Sequence, residues 1–188
     1  MNNNFLDRLN LPNRLTFIRI LIIPVFVVFM LLPSDSTALR IISLILFCAA
    51  SITDFFDGKI ARDRHLVTNF GKFVDPLADK ILVCSALICL VTKREIPAWV
   101  VIIIIAREFI ISGLRVIAAE KGIVISASIW GKIKTVSQMI LVILLILDFG
   151  RLFHVAGIIF TYIALILTIV SGADYIIKNK EMILNDGM

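Results

Sequence analysis

Residues Asp54–Asp79 read DFFDGKIARDRHLVTNFGKFVDPLAD. Asp54, Asp57, Gly58 and Ala61 fall at i, i+3, i+4 and i+7, which puts them on one face of a helix. Gly71, Asp75 and Asp79 fall at i, i+4 and i+8, a stripe along a second helix. The turn between them is short, so the two helices are expected to pack antiparallel. Gly58, Ala61 and Gly71 remove side-chain bulk where the stripes would meet and allow close approach. Pro76 costs only a first-turn hydrogen bond if the second helix starts near Lys72.

Working outward, the sequence is apolar on both sides. A spanning helix needs about 20 mostly apolar residues, and six candidates appear: 13–32, 37–61, 72–92, 97–119, 127–147 and 152–177. Pro24 is expected to kink the first. Asn13, after Pro12, is expected to cap it. Ahead of it, Phe5, Leu6 and Leu9 recur at helical spacing among Asp7, Arg8 and Asn10, as in a short amphipathic helix lying in the membrane interface. Of 188 residues, 60% are hydrophobic and 18% charged, whereas a soluble domain is roughly 45–50% apolar and about 25% charged. Mean hydropathy is +1.01. So short a chain cannot hide that much apolar surface in an aqueous core. A soluble enzyme, a disordered chain and a disulfide scaffold are excluded. The expectation is an all-α integral membrane protein, residues 1–188 forming one domain of six transmembrane helices.

Basic residues set the orientation. With the N-terminus inside, Arg8, Arg14, Arg19, Lys59, Arg62, Arg64, Lys72, Lys80, Arg107, Arg115, Lys121, Lys132, Lys134, Lys178 and Lys180 fall on the cytoplasmic side. Arg40, Lys93, Arg94 and Arg151 fall on the other. The split is 15 to 4 of the 19 Lys and Arg, so both termini are expected in the cytoplasm. The formal charge of +5 therefore reads as membrane topology. Nucleic acid is not an expected partner, because no basic patch is interleaved with aromatics. Cys48, Cys84 and Cys89 sit in apolar runs without metal-ligand spacing. MNNNFLDRLNL lacks the basic and apolar regions of a signal peptide.

Acids near a membrane are costly. An Asp at the centre of a spanning helix costs about 2.5–3.5 kcal/mol, and less near the interface. Nothing on the same stripes offers four positive partners, whereas divalent cations would. Four carboxylates, Asp54, Asp57, Asp75 and Asp79, with no His or Cys, suit Mg²⁺ or Mn²⁺. Two such ions would neutralise the four and still attract a pyrophosphate. The alternative is a salt-bridge belt with Lys59, Arg62, Lys72 and Lys80.

The stretch matches D-x-x-D-G-x-x-A-R-x(8)-G-x-x-x-D-x-x-x-D without a departure and so resembles the CDP-alcohol phosphotransferase family. The resemblance implies six spanning helices, a homodimer, a site open to the cytoplasmic leaflet, and displacement of CMP from a CDP-linked substrate by an alcohol. It implies that Asp54, Asp57 and Asp75 bind metal and that Asp79 is the general base and a further metal ligand. It also implies that Gly58, Ala61, Arg62 and Gly71 line the nucleotide pocket.

Three flanking segments narrow the resemblance: LPNRLTFIRI at 11–20, AREFIISGLR at 106–115 and WGKIKTVSQM at 130–139. They are similar to the branch of the family that moves a phosphatidyl group from CDP-diacylglycerol to glycerol 3-phosphate in the cell membrane. Arg107 has ten apolar or small residues on its outer side. An Arg at that depth faces a cavity or a partner. Arg115 lies eight residues on, about 80° around the helix. With Lys132 and Lys134 these make a cluster suited to an acceptor that carries its own phosphate. The alternatives are an ion pair of Arg107 with the aspartates or with Glu108, and a positive-inside role for the two lysines. Lys132 and Lys134 point nearly opposite ways, so only one is expected to reach the substrate.

Asn13, Thr16 and Arg19 follow i, i+3, i+6 spacing. They suit contact with the cytidine diphosphate, or capping and snorkelling to the interface. His65 and His154 lie outside the constellation, which disfavours a phospho-histidine route. Rival readings are a cardiolipin, phosphatidylinositol-phosphate or phosphatidylserine synthase of the same family, or a divalent-cation transporter. A transporter would be expected to carry matching acids in both halves, and here the Asp signature lies in helices two and three with no matching set in the second half.

Overall fold

The computed structural model describes residues 11–33, 36–63, 69–120 and 128–180; side chains at 11–15, 54–63, 69–76, 79 and 120 lie outside that description. The described residues form six helices: α1 Leu11–Leu31, α2 Thr37–Asp63, α3 Asn69–Thr92, α4 Ala98–Glu120, α5 Ile129–Leu147 and α6 Arg151–Lys178. The expected interfacial helix at residues 5–9 lies outside the described residues. Among them α5 and α6 are long and apolar enough to cross a membrane. α1, α2 and α3 carry shorter apolar stretches, Thr16–Leu31, Thr37–Thr53 and Lys80–Thr92. In α2 and α3 these stop where the acidic sequence begins.

Three boundaries correct the sequence reading. α1 begins at Leu11, so Asn13 lies inside its first turn and is not the N-cap. Pro12 is compatible with that start, because first-turn N–H groups have no intrahelical partner. The helix runs on through Pro24. α3 begins at Asn69, a turn earlier than Lys72. Phe70, Phe73, Val74 and Leu77 extend the apolar helical period backward, so Pro76 lies inside the helix. α5 begins after Ser128, whose Oγ accepts the Gly131 N–H at 3.2 Å, a side-chain N-cap.

The helices group into two compact units, Met1–Thr92 and Lys93–Met188. In the first, α1 packs along both α2 and α3, and α2 and α3 also touch. Phe26 of α1 and Phe47 of α2 meet at 5.9 Å between ring centroids and, with Ala50, Ala78, Leu82 and Leu87, are buried there. In the second, α6 packs against α5 and α4. The α5 seam, Lys134, Gln138, Leu141, Leu145, repeats at helical spacing, as does the α6 seam, Gly157, Thr161, Ala164, Thr168, Gly172. Gly157 lets the helices close up: a Cβ there would lie 2.7 Å from Leu145 Cγ. α5 ends on Asp148 in the left-handed region, φ 34°, whose N–H returns to the Leu144 carbonyl.

Outward-facing side chains are overwhelmingly Ile, Val, Leu and Phe, among them Ile102, Phe109, Ile110, Leu152, Ile166 and Ile177. Water would penalise such a surface, whereas lipid tails would not. The chain is a helical membrane protein.

Candidate active site

Unit one carries the acids. Asp54 and Asp57 lie in the last third of α2, and Asp75 and Asp79 in the first half of α3. Their backbone is helical, so the i, i+3 and i, i+4 spacings hold as expected. The side chains of these aspartates, and those of Arg62 and the others at 54–76, are outside the described set. The close approach expected at Gly58, Ala61 and Gly71 falls there too. Among the described residues no group of three or more His, Cys, Asp or Glu is placed to hold a metal. The donor chemistry fits a hard cation: four carboxylates on two touching helices, with no softer ligand in the pattern.

α1 braces that stretch. Arg19 is 0% exposed, and its Nε donates to the Ala50 carbonyl at 3.2 Å. Ala50 lies one helical turn before Asp54, so the bond fixes α1 to α2 beside the first acid. Thr16, one turn earlier on α1, is also buried. Snorkelling is therefore wrong for Arg19. Its guanidinium points into the protein because a carbonyl is offered there, and a buried guanidinium must find acceptors. Asn13 lies on the same helix with its side chain outside the described set.

Unit two carries the cations. Arg107 Nη1 lies 3.2 Å from Glu108 Oε1. Lys134 Nζ, from α5, pairs with the same oxygen. The Lys134 side chain is only 3% exposed and those of Arg107 and Glu108 are mostly covered. Gly172 of α6 makes the room: a Cβ there would stand 3.3 Å from Arg107 Cγ. Two cations share one carboxylate oxygen in a mostly desolvated place. Arg115, two turns further along α4, sits with its guanidinium carbon 5.8 Å from the ring centroid of Tyr175, a cation–π contact. Lys132 is exposed.

Of the four cations predicted from sequence, the structure joins Arg107 and Lys134 through Glu108, sets Arg115 on Tyr175, and turns Lys132 away. The expected opposition of the two lysines is seen, with Lys134 the inward one. The Glu108 pairing weighed for Arg107 is present as well, and it does not exhaust the cluster, because Lys134 uses the same oxygen. Sequence reasoning missed Gln138 and Tyr175, buried in the same unit. Gln138 had a signal: it lies four residues after Lys134 and so shares its face. Tyr175 had none beyond its place in an apolar helix. His154 lies elsewhere in unit two, with Nδ1 3.3 Å from Glu95 and 3.6 Å from Asp148.

The chain belongs to the CDP-alcohol phosphatidyltransferase family, whose sequence model it matches over residues 9–170. Divalent cations are general in that family.

Full-length relatives sharpen the placement. A Bacillus subtilis CDP-diacylglycerol–glycerol-3-phosphate 3-phosphatidyltransferase is 46% identical, covering 92% of this chain and 96% of its own. The Rickettsia typhi enzyme of the same description is 42% identical over 88% of this chain and 94% of its own. The Haemophilus influenzae one is 39% identical over 95% and 98%.

Proposed function

We propose that this protein transfers the phosphatidyl group of CDP-diacylglycerol to sn-glycerol 3-phosphate, releasing CMP and forming phosphatidylglycerophosphate. The observation that carries the choice of acceptor is the Arg107–Glu108–Lys134 cluster. A serine or plain alcohol acceptor needs no buried cluster of cations, whereas a phosphate monoester is recognised by one. The similarity to glycerol-3-phosphate phosphatidyltransferases along nearly the whole chain supports the same reading.

In this mechanism Asp79 accepts the proton of the primary hydroxyl of glycerol 3-phosphate. That oxygen forms a bond to the phosphorus bearing the diacylglycerol, the bond from this phosphorus to the CMP oxygen breaks, and CMP leaves with the electron pair. Arg107 and Lys134, with Arg115, hold the acceptor phosphate, and Lys132 stays at the surface. Asn13, Thr16, Arg19, Gly58, Ala61, Arg62 and Gly71 form the CDP-lipid side. Asp54, Asp57, Asp75 and Asp79 would hold two divalent cations, Mg²⁺ or Mn²⁺, which supply charge neutralisation at the diphosphate when bound. Transfer in one step inverts the phosphorus; retention with a chiral phosphate would refute it.

The proposal places one domain of six spanning helices in the cell membrane as a homodimer, with both termini and the site cytoplasmic. The 15-to-4 division of basic residues and a family match that runs through both compact units support it. The test is an acceptor panel with purified protein and CDP-diacylglycerol, scored by CMP release. Glycerol 3-phosphate should far exceed serine, inositol phosphate and phosphatidylglycerol. Preference for any of these would overturn the assignment.

A further inference from the structure

The Ser and Thr hydroxyls buried or half-buried in unit two bond within their own helices, whereas Tyr175 Oη is buried without a hydrogen-bond partner among the described residues. Ser112 Oγ donates to the Glu108 carbonyl at 2.6 Å and Ser137 Oγ to that of Lys134 at 2.7 Å. Thr161 donates to Gly157 at 2.9 Å, Thr168 to Ala164 at 2.6 Å and Ser171 to Thr168 at 3.1 Å. Each bonds its own helix, as Ser and Thr commonly do. Gln138 does not follow suit. It is 2% exposed, and its Nε2 has no hydrogen-bond partner among the described residues. Arg107 Nε is likewise buried and unpartnered among them, although Arg107 Nη1 is engaged by Glu108. Unmet buried donors are costly and uncommon, and an apolar side chain at 138 would remove the cost.

Position gives these donors a meaning. Gln138 lies one turn beyond Lys134 on the same face of α5, and the next buried residues on that face are Leu141, Val142, Leu145 and Ile146. On α4 the buried residues one and two turns outward of Glu108 are Ile104, Val101 and Val100. Gln138 is thus the last polar side chain before an apolar floor. Lys134, one turn before it, pairs with Glu108, which Arg107 also engages. A phosphate monoester dianion presents three terminal oxygens, each able to take more than one donor. Among the described residues of unit two, the buried donors without a partner are Arg107 Nε, Gln138 Nε2 and Tyr175 Oη, and of these Gln138 follows Lys134 on the same face of α5.

We infer that Gln138 Nε2 and Arg107 Nε form the floor of the acceptor pocket and donate to the terminal oxygens of the acceptor phosphate, which makes Gln138 a specificity-determining residue. The inference rests on the proposed acceptor reading of this cluster, and its test keeps the two apart. KM and kcat are measured for glycerol 3-phosphate and for CDP-diacylglycerol in Gln138→Met, Gln138→Glu and Lys134→Met, with inorganic phosphate as a competing probe. Gln138→Met keeps length and removes the donor. It should raise the glycerol 3-phosphate KM about 10-fold or more, as expected for a lost hydrogen bond to a charged group, and weaken inhibition by inorganic phosphate in parallel. The CDP-diacylglycerol KM should stay within about twofold. Gln138→Glu should raise the acceptor KM further, because it turns a carboxylate toward the phosphate. A raised acceptor KM in Lys134→Met with no change in either Gln138 variant would overturn this inference alone. No change in Lys134→Met would overturn the acceptor reading beneath it. A Gln138 variant that lowers kcat without moving either KM would assign the residue to packing and also overturn the inference.

Discussion

The two compact units carry opposite chemistry in different ways. Unit one sets carboxylates at regular helical intervals, with no other ligand type in the pattern. Unit two buries cations and gathers two of them, Arg107 and Lys134, on one carboxylate oxygen. A set of carboxylates with no softer ligand among them suits a hard metal ion, and a buried set of cations suits an anion. The difference teaches that one chain can concentrate opposite charges in its two halves, where lipid makes charge costly, and the proposed function gives each half its own partner.

The sharpest way to break the comparison is Asp57→Asn. It keeps shape and removes charge, so membrane insertion should be unchanged while CMP release falls about 100-fold or more, the loss of metal charge stabilisation being worth several kcal/mol. Near-normal turnover would leave unit one as a salt-bridge belt. For unit two, Lys134→Met should raise the glycerol 3-phosphate KM about 10-fold or more. Lys132→Met should change it by less than about twofold, as expected for an exposed charge. Equal effects in the two variants would erase the distinction between the inward and the outward lysine.

Much of this organisation is legible in the amino-acid sequence. The six helices fall within a few residues of the apolar runs, because lipid-facing residues leave little else to vary. The acids are legible because spacing alone puts them on shared faces. Arg107 is legible from its depth. Its partnership is only half legible: Glu108 is adjacent in sequence, but that Lys134 comes from another helix to share the same oxygen is a fact of packing, set by Gly172 and the α6 seam. Gln138 is hidden because a neutral amide stands out neither by charge nor by apolar period. Arg19 reads equally as a nucleotide contact or a snorkelling residue, and the structure removes the second reading; sequence shows where a carbonyl lies along its own helix, not which carbonyl a neighbour offers.

Two smaller effects sharpen the account of packing. Glu108→Gln removes the carboxylate that separates two buried cations. It should lower stability by about 2 kcal/mol, a Tm fall of about 4–8 °C in a detergent melt; an unchanged Tm would mean that the pairing is not formed. Gly157→Ala forces a Cβ against Leu145 and should cost about 1–2 kcal/mol by overpacking, read in the same melt. A neutral result would mean that the α5–α6 seam is looser than described.

The most direct measurement is CMP release by purified protein after exhaustive chelation, followed by titration with Mg²⁺ or Mn²⁺. Activity should vanish on chelation and return with either ion in wild type, and fail to return in Asp57→Asn. Full activity in the metal-free protein would contradict the account at its root.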